Sequence, residues 1–223
     1  MTGLRHDPHT RGARGASRRV QDKRLLRGDH TRGRILKRAM DIASLEGLDG
    51  LTIGRLATEL EVSKSGLFAH FGSKEELRLA VVSSAVELFV AQVIEPAWSE
   101  PPGLPRLTRL CDNWLDYSER RVFPGGCFLY SVGAEYDARP GQVRDALAKA
   151  KREWLALYRQ TIRDAQQLGQ LRADADPARL AFELDALVNA ANSAALLLDD
   201  VGAYDLARTS IRTLLRTLAT DPA

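Results

Sequence analysis

The chain predicts an all-α fold: an N-terminal three-helix domain with a helix-turn-helix, followed by a C-terminal helical bundle, about nine helices in total. Three observations predict it. Apolar residues recur at i, i+3, i+4 and i+7 in the long segments, no run alternates apolar and polar residues as a half-buried strand does, and Gly or Pro marks where the periodic segments stop.

In chain order, residues 1–30 set Arg5, Arg11, Arg14, Arg18, Arg19, Lys23, Arg24 and Arg27 among Gly, Ser and His, with almost nothing apolar before Val20. Such a segment cannot bury enough surface to fold alone, and reads either as a solvated tail or as an arm laid in a DNA minor groove. Thr31 to Glu46 is the first helix, with Thr31 as cap, Ile35, Ala39, Ile42 and Ala43 on one face, and Gly47 as stop. Arg32 and Arg34 near its start are either phosphate contacts or solvated charges. After a turn at Leu48-Asp49-Gly50-Leu51, Thr52 caps a second helix with Ile53, Leu56, Ala57 and Leu60 on one face. A third starts at Ser63, whose hydroxyl can cap exposed N–H groups while Val62 and Leu67 form a hydrophobic staple. Two short helices joined by so tight a turn present the second to a DNA major groove. Ser63, Lys64, Ser65, Gly66 and Phe68 are what it would show. Ser73 then caps a fourth helix, with Glu76 completing a capping box. Lys74 is unfavourable beside that helix's positive end, which suits a phosphate contact, the alternative being a solvated lysine. With no other histidine after His30 and no paired cysteine for a metal, His70 reads as a packing or phosphate-contacting residue.

The run Lys64-Ser65-Gly66-Leu67-Phe68-Ala69-His70-Phe71, followed by Gly72-Ser73-Lys74-Glu75-Glu76-Leu77, resembles the DNA-reading segment of the tetracycline-repressor (TetR/AcrR) family of bacterial transcription regulators. The resemblance runs from about Thr31 to Leu77. It implies a sequence-specific regulator, a repressor, that binds double-stranded DNA at a near-palindromic operator as a homodimer and is released by a small-molecule effector. It also implies that the helix capped by Thr52 turns its positive end to a phosphate. Members commonly have tyrosine where this chain has Phe68, which has no hydroxyl for a phosphate and can make only apolar contact, for example with a thymine methyl.

Charge and composition bound the alternatives. Residues 1–77 hold fifteen Lys/Arg against ten Asp/Glu, and residues 78–223 hold seventeen against nineteen. Residues 31–77 balance at seven each, so affinity for DNA rests on a few well-placed cations and the tail. The longest apolar run, Ala186 to Leu198, is broken by Asn189, Asn192 and Ser193 and falls short of the roughly 20 residues of a bilayer span. With no signal-peptide core, no membrane partner is expected and the expected location is cytoplasmic. Cys111 and Cys127 have neither the number for a disulfide framework nor metal-ligand spacing. No metal, cofactor or catalytic residue is expected: an all-α enzyme carrying a helix-turn-helix-like pair is the competing class, but nothing after Leu77 offers a histidine or a nucleophile elbow. A regulator of the same fold controlled by a protein partner is the other alternative.

The remaining segments build the domain expected over 78–223, after a DNA-binding domain over 31–77. Helix four continues through Val81, Ala85 and Leu88 to about Ile94, where Pro96, Pro101, Pro102 and Pro105 enforce a loop. Helices follow from Arg106 to Arg121, Phe128 to Tyr136, Gly141 to Leu168, Pro177 to Asp199 and Tyr204 to Ala219. The aromatic residues Trp114, Tyr117, Phe123, Phe128, Trp154 and Tyr158, with Cys127 beside them and Asn189 and Asn192 as polar anchors, are candidate effector contacts, although each also fits an ordinary core. No excess of charge accompanies them, so an apolar or aromatic effector is expected. Leu187, Ala191, Ala194, Ala195, Leu214 and Leu218 on the last two helices are the candidate dimer interface, and the same pattern fits an intrachain core. Helix four would be the moving part.

Overall fold

Helix α1 spans 30–46 and is already helical at 30, so Thr31 lies inside it and is not its cap. The computed structural model describes residues 30–220; the tail read as a possible minor-groove arm falls outside them. Gly47 ends α1 with φ of +75°, a left-handed value that glycine adopts without a Cβ penalty. The next two helices are set by their caps. Thr52 Oγ1 accepts from Arg55 N at 3.2 Å to open α2 (Ile53–Glu59), and Ser63 Oγ accepts from Gly66 N at 3.0 Å to open α3 (Lys64–Phe71). Ile35, Ile42, Leu48, Leu51, Leu56 and Leu67 are fully buried between these helices, and full burial of one such side chain contributes about 1.5–3 kcal/mol.

Ser73 caps α4 (Lys74–Phe89) through Glu76 N at 3.0 Å. The second half of the expected capping box is absent, because the Ser73 N–H goes to the Phe71 carbonyl at 2.7 Å. Nor does the helix stop near Ile94. Pro96 has no N–H, and in an α-turn its ring would meet the carbonyl four residues back. The chain relieves this by widening into a π-turn at Val90–Ile94, where Glu95 N–H reaches back to Val90 O, and then tightening into a 3₁₀ turn at Glu95–Ser99. The buried Asn113 side chain donates to the Val93 carbonyl at 2.9 Å.

The bundle is completed by α5 (Leu104–Glu119), α6 (Phe128–Tyr136), α7 (Gln142–Gln167), α8 (Pro177–Leu197) and α9 (Ala203–Leu218), making nine α-helices among the described residues. Helix α5 packs against α7, α8 and α9, while α6 lies on α4 and α7. The nearest thing to a strand among the described residues is one isolated bridge, Leu171 with Ala219. By length and composition, the stretches Lys74–Ser99 and Pro177–Leu197 reach what a membrane span needs, where the sequence reading found none. Each nevertheless lays a core stripe in the bundle: Leu77, Val81, Val82, Ala85 and Phe89 on the first, Leu180, Leu184, Val188 and Ala195 on the second.

A buried polar junction ties α5, α8, α9 and the turn before α6 together. Asn192 Oδ1 accepts from Ser118 Oγ at 2.6 Å and from Cys127 N at 3.0 Å. With its one proton so used, Ser118 Oγ receives the Tyr204 hydroxyl at 3.0 Å. Removing one partner of such a group leaves a buried donor unsatisfied, at a cost of about 1–3 kcal/mol. Asn192→Ala is therefore expected to lower unfolding stability by that amount in a denaturant titration; a loss below about 0.5 kcal/mol, the range of ordinary surface substitutions, would show that the junction does not hold these elements together.

Candidate functional site

The outward face of α3 presents Lys64, Ser65, Phe68 and Ala69, while Leu67 and Phe71 point into the domain. Phe68 is 46% exposed, large for an aromatic side chain with no cover in its own chain. At Gly66 an added Cβ would crowd only the Ser63 hydroxyl, at 3.1 Å, so the protein leaves the space beyond open, as close approach to DNA requires. Most cations around this face are engaged internally. Arg32 donates to the His70 carbonyl at 2.7 Å and stacks 4.4 Å over the Phe71 ring, so it fixes α1 to α3; His70 sits half-buried beside that ring. Arg38 pairs with Glu59 at 2.5 Å, and Arg55 with Glu46 and Glu59. The Arg55 and Arg38 hydrogen bonds hold the Glu59 carboxyl below its usual range. Among the described residues of this domain, Arg34, Lys37, Lys64 and Lys74 form no ion pair.

The bundle grips this domain at two further places. Gly125 N donates to Ser44 Oγ at 3.1 Å, in contact so close that a Cβ on Gly125 would collide with the Ser44 carbonyl. On α6, the Glu135 carboxylate accepts from the successive amides of Leu48 at 2.7 Å and Asp49 at 3.0 Å. Arg139 joins Asp49 at 2.5 Å to Glu135 at 3.7 Å, and Arg78 of α4 reaches Asp49 at 2.6 Å. The Arg139 hydrogen bond lowers the Asp49 carboxyl.

The opposite side of α6 forms one wall of a cavity of about 520 Å³ lined from α4 to α8. Phe89, Trp114, Leu129, Leu147 and Trp154 supply its apolar surface, with Phe89 edge-on to Trp154 at 5.1 Å between ring centres. Of the expected contacts, Trp114, Cys127, Trp154 and Asn189 line it. Tyr117, Phe123, Phe128, Tyr158 and Asn192 do not. The four aromatics form a filled layer behind the wall: Tyr117 lies 5.6 Å from Phe89 and 6.1 Å from Phe123, Phe123 5.5 Å from Phe128, and Tyr158 4.3 Å from Trp154. Asn192 is taken up by its junction. Helical spacing shows that a side chain points inward, not whether the space it meets is empty. Phe89, Leu129 and Tyr130 escaped notice. Phe89 continues the Val82, Ala85 stripe of α4 and could have been found there. The walls also hold charge, paired as Lys151 with Asp185 at 2.6 Å. Burial pushes the Cys127 thiol up to about 11 and that of Cys111 to about 12, so both stay protonated and unreactive at neutral pH.

The dimer candidates lie in or against the chain's own core. Ala191 and Ala195 are buried in the chain's own core, and Leu187, Ala194, Leu214 and Leu218 pack against it partly buried. The outward stripe of α8 is instead Phe182, Ala186, Ala190 and Leu197, continued on α9 by Leu206; Phe182, Leu197 and Leu206 are 70, 79 and 67% exposed.

A helix-turn-helix face joined by α4 to a bundle with an apolar cavity defines a DNA-binding transcription regulator. Residues 35–81 match the family described as "Bacterial regulatory proteins, tetR family", and residues 103–211 match "Tetracyclin repressor-like, C-terminal domain". The chain belongs to the tetracycline-repressor family of transcriptional regulators. Among its relatives, the regulator AcuR of Cereibacter sphaeroides is 26% identical over 66% of this chain and 68% of its own, and UidR of Escherichia coli is 26% identical over 85 and 90%. A regulator from Chloroflexus aurantiacus superposes with a TM-score of 0.77 at 24% identity over 86% of this chain and 98% of its own; one from Saccharomonospora viridis, in complex with choline, does so at 0.75 and 22% over 86 and 100%. At these identities the two structures show the fold.

Lys64→Ala is expected to lower the slope of operator affinity against salt by about one unit if it meets a phosphate, or to cost about 1–3 kcal/mol at one base pair if it reads guanine; an unchanged slope with wild-type affinity would remove it from the interface. Gly66→Leu should abolish operator binding with an unchanged helical circular dichroism spectrum.

Proposed function

We propose that the protein is a repressor that binds a near-palindromic operator as a homodimer and is released by a small molecule held in the cavity between α4, α6 and α7. One observation carries the proposal: two of the helices that wall the cavity, α4 and α6, are also those that hold the N-terminal helices, α4 covalently and through Arg78, α6 through Glu135. A ligand that fits the cavity better in one arrangement of these helices lowers operator affinity by the ratio of its affinities for the two arrangements. The choline complex of a protein with the same fold supports a small molecule over a protein partner as the signal.

Serine, lysine and phenylalanine at the start of α3 read the groove, and Thr52, His70 and Lys74 lie around it toward the backbone. The dimer reading rests on the α8–α9 stripe. An exposed Phe and two exposed Leu in line on adjacent helices favour a covered face, and the small Ala186 and Ala190 between them admit a partner helix closely. The domain division follows the same logic, with the reader over 31–77 and the sensing and dimerisation bundle over 78–223.

Two experiments test this. Phe182→Glu with Leu206→Glu should give a monomer by light scattering at micromolar concentration and lose the operator recovered by selection from random duplexes; a dimer that persists would move the interface elsewhere. Gly133 lines the cavity and has no neighbour within 4 Å of an added Cβ. Gly133→Phe should leave operator affinity near wild type while abolishing release by any effector found in a screen, and an unaltered dose response would place the effector outside this cavity.

A further inference from the structure

Resting on the reading of this cavity as the effector site, we propose that it selects an uncharged aromatic or alicyclic molecule with one hydrogen-bonding head, such as a phenol, alcohol or amide, over the same body carrying a carboxylate. The argument starts from the polar groups set in an otherwise apolar wall. Asp185 of α8 is mostly withdrawn from solvent, its side chain 13% exposed. Both its oxygens accept from Lys151 Nζ of α7, at 2.6 and 2.7 Å, and one also accepts from Asn189 Nδ2 at 2.9 Å. The charges of the pair thus cancel inside the site.

What is left over are donors and an acceptor: the third N–H of Lys151, the second amide N–H and the Oδ1 of Asn189, and the buried Trp154 Nε1, which has no partner among the described residues. An ammonium has three N–H groups, of which Asp185 takes two. Asn189 gives one amide N–H to Asp185 and keeps Oδ1 without a donor among the described residues. A hydroxyl or amide head both gives and accepts, so it satisfies a donor and the acceptor together and leaves the ion pair intact. A carboxylate head could gain Lys151 only by drawing it from Asp185, and an ammonium could gain Asp185 only by displacing Lys151. The first exchange leaves Asp185 unmatched where its side chain is only 13% exposed, the costly way to break such a pair, whereas the second releases Lys151, 48% exposed, to water and costs little. The other charged groups at the cavity are exposed at its mouth and have local partners. Arg144 Nε donates to the Asp137 carbonyl at 3.0 Å, and Glu153 faces Lys149 at 3.8 Å. Water screens them, so they discriminate weakly. The volume, about 520 Å³, falls where small-molecule sites usually do and accommodates a fused-ring body.

Three probes that share one ring system isolate the head group: 2-naphthol, 2-naphthoate and 2-naphthylmethylammonium, titrated into the full-length protein by calorimetry at neutral pH. Wild type is expected to bind naphthol about tenfold or more tighter than naphthoate. Asp185→Asn, which leaves Lys151 unmatched, should turn the preference to naphthoate, and Lys151→Met should turn it to the ammonium. Should either single variant fail to fold by circular dichroism, the reversed pair, Lys151→Asp with Asp185→Lys, is expected to lift the penalty on naphthoate, since the withdrawn charge is then the cation. Naphthoate binding wild type best, or a ranking that ignores all these substitutions, would overturn the selectivity while leaving the cavity as a binding site. Failure of all three probes to bind wild type would overturn the cavity reading itself, and this proposal with it.

Discussion

The placement of the DNA-reading helices depends on a contact that has no room for a side chain. Gly125 lays its peptide on Ser44 at the end of α1, and any Cβ there would enter the Ser44 carbonyl. Gly126, with φ of +78°, turns the chain immediately afterwards, where a Cβ would press on Asn192 and Leu196. Asn192 then fixes the next amide, Cys127 N, and through Ser118 and Tyr204 ties the turn to α5 and α9. A single buried amide thereby connects the helices that carry the outward apolar stripe to the surface on which α1 rests. The interior is close-packed, so a shift at one end of such a chain cannot be absorbed by slack at the other.

Two connections of different kind hold α1–α3. The α4 connection is covalent and carries a built-in irregularity, because Pro96 forces a π-turn whose residues Val90 and Ile94 face the cavity. The α6 connection is polar: a carboxylate in a pair of successive amides, reinforced by two arginines that meet at Asp49. Expecting helix four alone to move leaves out this second attachment. A ligand that displaces either wall meets a reader already tied to the other, so the ligand's differential affinity must exceed the cost of loosening the polar contacts as well as that of moving the helix.

Local signals were legible in the sequence, and relations between helices were not. Thr52, Ser63, Ser73 and Gly47 mark helix ends by chemistry that acts within three or four residues, and they lie where that chemistry puts them. The outward set on α3 follows from the same spacing. The aromatic cluster shows the limit. Trp154 and Tyr158 lie on one stripe of α7, yet one faces space and the other fills it, a difference decided by α4, α5 and α8 together. Ala191 and Ala195 carried the same ambiguity, since small residues on a helix suit close approach to a partner and to a neighbour in the same chain alike. The Lys151–Asp185 pair spans 34 residues and two helices, and no local pattern announces it.

The internal pairing of charges also shapes how the protein would find its site. Arg32, Arg38 and Arg55 brace α1, α2 and α3 against each other, so the net neutrality of residues 31–77 reflects a scaffold held by ion pairs and not a face awaiting DNA. Fewer neutralised phosphates mean less counterion release, hence a shallower dependence on salt and weaker binding to arbitrary duplex. Because a genome offers a large excess of competing sequence, weak background binding raises the fraction of protein available to the operator even when affinity for that operator is modest. Sequence discrimination then falls on direct contact by the start of α3. There Phe68 offers an apolar surface, Gly66 leaves open space, and Lys64 is the one cation on the helix's outward face. A reader of this kind gains its specificity from fit at a few base edges, and fit depends on orientation. That orientation is held by Gly125 in the turn before α6 and by Glu135 on α6, a helix that also walls the cavity.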